Sequence, residues 1–300
     1  MPQTKLIAIA GPTASGKSDL AVYLAKKFNG AIISADSRQV YLGLDLGTGK
    51  ITKTEQQNID HYLLDVARPT ETFTVTDFKK LAKQALLQIK EKNQLPIITG
   101  GTGFYLDTFI YDLNLPIVPP NLNLRAELQT WSLAKLQAKL EKLDPARFSN
   151  IDLNNRPRLI RAIEISKTLG KVPILENHRQ SPYDVLYLAL EVPQPDLDKK
   201  IYNRLLKRLD EGLIEEVKNL EQTGLTWSKL EAFGLEYRYI SLFLQNKLTK
   251  AEMIDKLYLA IRQYSRRQLT WFKKNKNIIW LPLNESRDQA EKLITKFLKT

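Results

Sequence analysis

The sequence contains no cysteine, and only two histidines, His61 and His178, in 300 residues. The first absence excludes disulfides, cysteine-ligated zinc, iron–sulfur clusters and thiolate catalysis. The second argues against a histidine-built metal site and against a Ser-His-Asp triad. No apolar run approaches the roughly 18 residues that span a bilayer. The apolar stretch at residues 6–10 is too short for a signal-peptide core and runs straight into a structured motif. A soluble, cytoplasmic protein with no membrane partner is the expectation. Hydrophobic residues make up 43% and charged residues 26%, which excludes intrinsic disorder and collagen-like structure.

Positive charge is what the chain has in excess. Lys and Arg number 45 against 33 Asp and Glu, a net +12. The excess is uneven, because residues 250–300 carry 12 basic and five acidic side chains. Such a segment suits a polyanion, either nucleic acid or an anionic membrane surface, or else forms a solvated charged face.

The length accommodates two domains, or one domain with a large insertion. Residues 5–10 (KLIAIA) form a short apolar run ending in glycine, hence a buried strand. Residues 18–28 place Leu20, Ala21, Leu24, Ala25 and Phe28 on one helical face. Further strands are expected at 31–35, 62–66 and 96–99, with a helix from a Thr76 cap through Lys92. This alternation predicts an α/β fold: a P-loop NTPase-like core whose mostly parallel sheet is flanked by helices. Three prolines between residues 115 and 120 break the rhythm. Helices are expected at 124–143 and 156–169, the second stopped by Gly170, and a strand returns at 185–192. The predicted domains are therefore a core of residues 1–116 and 183–300, and a helical insertion of residues 117–182. Thr249 and Glu252 form a capping box for a long helix. A last strand at 278–281 and a helix at 286–298 complete the chain.

Gly11, Pro12, Thr13, Ala14, Ser15, Gly16, Lys17 and Ser18 fit G-x-x-x-x-G-K-[ST] between a strand and a helix. The glycines let backbone N–H groups turn inward around phosphate oxygens. Lys17 adds a point charge, Ser18 can ligate Mg²⁺, and the helix N-terminus adds its dipole. An ATPase or kinase also needs a Walker-B acid on a buried strand. The strand at 96–99 instead runs into Thr99-Gly100-Gly101-Thr102, and no Asn-Lys-x-Asp guanine reader is present. The cradle therefore suits a diphosphate outside a nucleoside triphosphate. Asp36 follows the second strand, at the edge that points into the ligand crevice of a doubly wound sheet. It can serve as a general base, join a Mg²⁺ shell, or cap a turn.

Two basic groups follow from helical spacing. Arg204 and Arg208 lie at i, i+4, and either close over a diphosphate or form an exposed basic face. At about 100° per residue, Arg262, Arg266 and Lys273 fall within roughly 40° of one another. Met253, Leu257, Ile261, Tyr264 and Trp271 lie opposite, so one face docks on the core and the other presents cations to phosphates. Trp271 is expected in the core.

GPTASGKS at 11–18, SADSRQVY at 34–41, HYLLDV at 61–66, GGTGFY at 100–105 and RQYSRRQLTWF at 262–272 occur in that order. Together they resemble the tRNA dimethylallyltransferase (tRNA isopentenyltransferase) family, along nearly the whole chain from Leu6 to Leu283. The absence of cysteine matches a bacterial-type or organellar-type member, without the zinc-finger extension of eukaryotic relatives. The resemblance implies transfer of a dimethylallyl group from dimethylallyl diphosphate to N6 of the adenosine immediately 3′ of the anticodon. It also implies Mg²⁺ dependence, a helical insertion that clamps the tRNA anticodon stem-loop, and a flipped target nucleotide.

The resemblance places Asp36 as the base that accepts the amine proton. Lys17, Thr13 and Ser18 then bind the departing diphosphate. Thr102 contacts the target nucleotide. Asp36, Ser37, Arg38 and Gln39, with Arg125, Arg158 and Arg161, match tRNA-contacting positions, and Arg262 and Arg266 add phosphate contacts. His61 and Asp65 belong to a family motif, and a hydrogen-bonded core pair is expected there. The chain departs from the family at Gly234-Leu235-Glu236-Tyr237, where many members have Gly-Tyr directly. A monomer is expected, because clamping one tRNA needs no second subunit. The alternatives are an adenylate isopentenyltransferase acting on a free nucleotide, and a P-loop kinase or NTPase.

Overall fold

A computed structural model of the protein describes residues 3–173 and 180–300. His178, expected in a loop, lies outside the described residues. The described strands are β1 (Lys5–Ala10), β2 (Gly30–Ser34), β3 (His61–Tyr62), β4 (Leu95–Gly100), β5 (Asp184–Glu191) and β6 (Ile279–Pro282). They form one sheet in the order β3-β2-β4-β1-β5-β6, and every neighbouring pair is parallel.

Parallel strands covered on both faces read as unbroken apolar runs, and Leu6 through Ala10 of β1 are fully buried. Leu6, Ala8 and Ala10 face Phe78 and Ala82 of the helix Val75–Glu91, and Leu106 and Phe109 of the helix Gly103–Ile110. Ile7 and Ile9 face the other way. They meet Leu20 and Leu24 of the helix Lys17–Lys27, and Ala290 and Ile294 of the helix Ser286–Lys299. Each large aliphatic side chain buried in this way contributes about 1.5–3 kcal/mol.

Register then fixes where the functional loops begin. Ala10 pairs with Gly100, and Ser34 with Thr99, so β1, β2 and β4 end at one level. Gly11, Asp36 and Thr102 follow directly, in the crevice where doubly wound sheets bind ligands. A Cβ on Gly100 would stand 2.1 Å from the Ala35 carbonyl oxygen. Glycine is what lets the two loops approach.

Several boundaries differ from the sequence reading. The cap of the Val75–Glu91 helix is Thr74, not Thr76. Thr74 Oγ1 accepts from Asp77 N, and Asp77 Oδ2 accepts from Thr74 N, a reciprocal box that the choice of threonine alone could not reveal. The third strand spans only His61–Tyr62, because Leu63 and Asp65 adopt left-handed φ values of 66° and 57° that break an extended run. The helix expected over 124–143 is two helices, Leu122–Thr130 and Leu133–Leu143. Ser132 caps the second by accepting from Lys135 N at 3.2 Å.

The chain divides into two compact units, Met1–Asp112 with Gln180–Thr300, and Leu113–Arg179. The second contains those two helices together with Pro145–Phe148 and Arg156–Leu169, packed around Leu128, Leu136, Leu140, Leu159 and Ile163. Its polar centre is Glu164, which is 1% exposed. Glu164 accepts from Asn121 N at 2.7 Å, from Arg125 Nε and Nη2 at 2.9 and 2.7 Å, and from Arg161. Arg161 also donates to the Val118 carbonyl at 2.8 Å. Burial alone would raise the Glu164 pKa, but these donors outweigh it and hold the carboxyl at about 2.

Glu164→Gln should therefore lower the stability of this unit by about 2–3 kcal/mol. That is below the usual figure for a severed buried pair, because both guanidiniums are partly in water. Urea unfolding checks it. The depressed pKa fixes the sign with pH: the Glu164 contribution is complete above its ordinary 4.5 and is lost as pH falls towards 2.

Candidate active site

The loop from β1 to the helix Lys17–Lys27 turns on left-handed residues, Ala14 at φ 61° and Gly16 at φ 93°. Gly16 caps that helix with no side chain, which leaves first-turn amides available to an anion. Lys17 Nζ donates to the Pro12 carbonyl at 3.3 Å. Thr13, Lys17 and Ser18 open onto a cavity of about 480 Å³. Burial holds the Lys17 ammonium down to about 8. Arg204 and Arg208 push the same way, and Asp36 opposes them.

Arg204 and Arg208, from the helix Gln194–Asp210, line the same cavity. They form a partly buried cationic wall and not an exposed helix face. Burial, then Arg208, holds Arg204 at about 10, and burial also lowers Arg208. Arg204 Nη2 donates to the Gly49 carbonyl at 3.3 Å, and Arg208 Nη1 lies 3.7 Å from Glu236. Ile32, Ile51 and Leu64 supply apolar lining.

Asp36 lines the cavity and also caps a turn. Its Oδ1 accepts from Arg38 N at 2.9 Å and from Gln39 N at 3.4 Å. Thr102 Oγ1 accepts from Ser37 N at 3.2 Å, and Thr102 N donates to the Ala35 carbonyl. Thr102 therefore braces the Asp36 loop from behind. Ser37, Arg38 and Gln39 are cavity residues too. Gln39 Nε2 donates to the Gly49 carbonyl at 3.2 Å.

A sequence profile described as IPP transferase matches residues 39–275. The chain belongs to the IPP transferase family. Within it, the chain is 38% identical over 295 residues to "tRNA dimethylallyltransferase 1" of Syntrophus aciditrophicus, covering 96% of this chain and 97% of that protein. It is 42% identical over 272 residues to "tRNA dimethylallyltransferase 2" of Treponema denticola, covering 89% and 91%. The crystal structure of a full-length tRNA isopentenylpyrophosphate transferase from Bacillus halodurans superposes with a TM-score of 0.75 at 35% identity, covering 99% of this chain and 97% of that one. A eukaryotic dimethylallyltransferase captured acting on tRNA superposes with a TM-score of 0.79 at 26% identity, covering 93% of this chain and 74% of that one.

Sequence reasoning missed the residue that ties this IPP transferase's site together. Gln268, on the helix Lys250–Lys273, is 7% exposed. Its Oε1 accepts from Thr13 N at 2.9 Å, and its Nε2 donates to the Gly101 carbonyl at 2.8 Å. One amide thus spans the phosphate loop and the end of β4. The signal was its place in the stripe Ile261, Ser265, Gln268, Phe272, the buried face of that helix. Met253, Leu257 and Ile261 are buried as expected, and the docking face differs only at Tyr264 and Trp271, where Ser265, Gln268 and Phe272 take the buried positions. Trp271 is 39% exposed and donates from Nε1 to Asp107 Oδ2 at 3.0 Å. Tyr264 is 37% exposed and lines the cavity beside Arg267, whose guanidinium lies 5.7 Å from its ring. Burial first, then Asp36, pushes the Tyr264 phenol up to about 12. A ring with a polar edge can sit at the surface and bond there, as Trp271 does with Asp107, so hydrophobicity alone does not place it in the core.

The basic residues expected on tRNA divide into two groups. Arg158 and Arg266 are exposed. Arg125 and Arg161 hold Glu164, and Arg262 pairs with Asp198 at 2.5 Å. His61 and Asp65 are not paired with each other. His61 Nδ1 is bonded to the Ile59 carbonyl at 2.8 Å, and Asp65 pairs with Lys50 at 2.5 Å.

Proposed function

We propose that the cavity transfers the dimethylallyl group of dimethylallyl diphosphate to N6 of the adenosine immediately 3′ of the anticodon in tRNA. One observation carries this reading: Asp36 shares a single cavity with the cationic wall of Lys17, Arg204 and Arg208. The carboxylate suits an amine that must lose a proton. The wall suits a diphosphate that gains charge as it departs. The exocyclic amine is a poor nucleophile, because its lone pair is delocalised into the ring. In the reaction N6 bonds to the allylic carbon, the carbon–oxygen bond breaks, and the electron pair leaves on the diphosphate. Asp36 takes the N6 proton. Lys17, Arg204, Arg208 and the first-turn amides hold the diphosphate, while Ile32, Ile51 and Leu64 offer an apolar setting for the prenyl chain. Thr102 positions the Asp36 loop.

Among the described residues no cluster of three or more His, Asp or Glu is placed to hold a metal. The available donors, the Ser18 hydroxyl and substrate oxygens, suit Mg²⁺ arriving with the diphosphate. When bound, it supplies charge neutralisation at the leaving group. The 113–179 unit and the exposed Arg158 and Arg266 are assigned to tRNA phosphates. Every group with a chemical role sits on one chain, so a monomer suffices. No described helix is long and apolar enough to cross a membrane, and the cytoplasm is the expected site of action.

Two measurements test the reading. Purified protein, Mg²⁺ and radiolabelled dimethylallyl diphosphate are mixed with unmodified tRNA or with AMP. Label should enter tRNA alone; label in AMP overturns the acceptor, and ATP hydrolysis without transfer overturns the reaction. The second is a pH profile. Lys17 must be charged to hold diphosphate, and its pKa is lowered, so the loss begins far below the ordinary 10.5 of a lysine. From neutral pH upward, the expected kcat/KM for dimethylallyl diphosphate is flat to about pH 8 and then falls, approaching about tenfold per pH unit.

A further inference from the structure

Glu216 does not itself line the cavity, yet it carries an unusual load of hydrogen bonds. It sits in the helix Leu213–Gln222, joined through Gly212 to the end of the helix that bears Arg204 and Arg208. Its Oε2 accepts from Asp45 N at 3.1 Å and from Leu46 N at 2.6 Å. Its Oε1 accepts from Gly47 N at 3.0 Å and from the Tyr237 hydroxyl at 2.7 Å. One carboxylate thus gathers three consecutive backbone amides, an arrangement that fixes a loop.

That loop leads straight to the cationic wall. Gly47 packs on the Tyr237 ring so closely that a Cβ there would stand 2.4 Å from Cζ. Gly49, at φ 60°, lies against both guanidiniums: a Cβ would fall 1.5 Å from Arg208 Nη2 and 2.1 Å from Arg204 Nη2. The Gly49 carbonyl accepts from Arg204 as well. The backbone at Gly49 is therefore the floor on which the arginine pair rests.

We infer that Glu216 is a positioning residue for the diphosphate: it clamps residues 45–47 so that Gly49 sets Arg204 and Arg208 against the phosphate loop. The inference rests on the transfer reaction proposed above, but its test does not. Glutamine at this position keeps the acceptor oxygen and the length, but turns one oxygen into an NH₂ facing amide donors. The loop must shift, and small misplacements of binding groups are costly.

The test is equilibrium binding of inorganic pyrophosphate with Mg²⁺, and separately of tRNA, to wild type and Glu216→Gln, with thermal melting as the control. The expected result is a pyrophosphate Kd raised about tenfold, with tRNA binding unchanged. A merely structural role would weaken both ligands together, or neither. An unchanged pyrophosphate Kd in a variant that melts normally overturns the assignment. Should Glu216→Gln fail to fold, Glu216→Asp decides. It keeps the charge one methylene short of the amides, so it too should bind pyrophosphate more weakly, and wild-type binding rejects the clamp. If the wild type binds pyrophosphate but transfers no label, the reaction fails and the clamp stands.

Discussion

Replacing Asp36 by asparagine lowers kcat by about 10²–10⁴-fold, the usual contribution of a positioned base, while the protein folds and binds tRNA as before. Asparagine is the informative choice because Asp36 has two roles. Its Oδ1 caps the turn through Arg38 N and Gln39 N, and an amide oxygen accepts those bonds as well. Only the negative charge and the basicity are removed. The charge has a second effect, since Asp36 raises the pKa of Lys17 against burial and Arg204. In Asp36→Asn the alkaline limb of the kcat/KM profile therefore moves to lower pH. Single-turnover rates and filter binding of tRNA check the first claim, and a pH series on the residual activity checks the second. A variant that turns over like the wild type removes Asp36 from the base role.

Lys17→Met has the other large effect, about 10²–10³-fold in kcat/KM for dimethylallyl diphosphate, the scale of losing one preorganised donor to a developing anion. The ammonium lines the cavity together with Arg204 and Arg208, and it is the lysine of the phosphate loop itself. Lys17→Arg should not restore activity, because a planar guanidinium does not fit a slot shaped for a compact charge. The alkaline limb near pH 8 should also disappear in Lys17→Met, since the group that titrates there is gone. Persistence of that limb assigns it elsewhere.

The parts of this fold that were legible in the sequence are those fixed by local chemistry. KLIAIA reads as a strand because it is buried on both faces, and GPTASGKS reads as a phosphate loop because strand, turn and helix follow in order. The Thr249–Glu252 box and the 156–169 helix are equally local, and both are present as read. What was not legible depends on contacts between distant segments. Gln268 bonds residues 255 and 167 positions away, and no periodicity announces such a partner. Glu216 resembles any exposed helix glutamate until the 45–47 loop folds onto it. Arg125 and Arg262 read as free cations because Glu164 and Asp198 are distant in sequence and come beside them only in the fold, whereas Arg161 and Glu164 are a local i, i+3 pair. Thr74 and Thr76 are equal as candidate caps until the reciprocal bond to Asp77 selects one.

The central claim is the identity of the acceptor atom. The most direct test incubates unmodified tRNA with the protein, Mg²⁺ and dimethylallyl diphosphate, digests the product, and maps added mass by nucleoside and position. The account predicts one dimethylallyl group per tRNA, on N6 of the adenosine immediately 3′ of the anticodon. A prenyl group on any other nucleotide, or none on tRNA while AMP is prenylated, contradicts it.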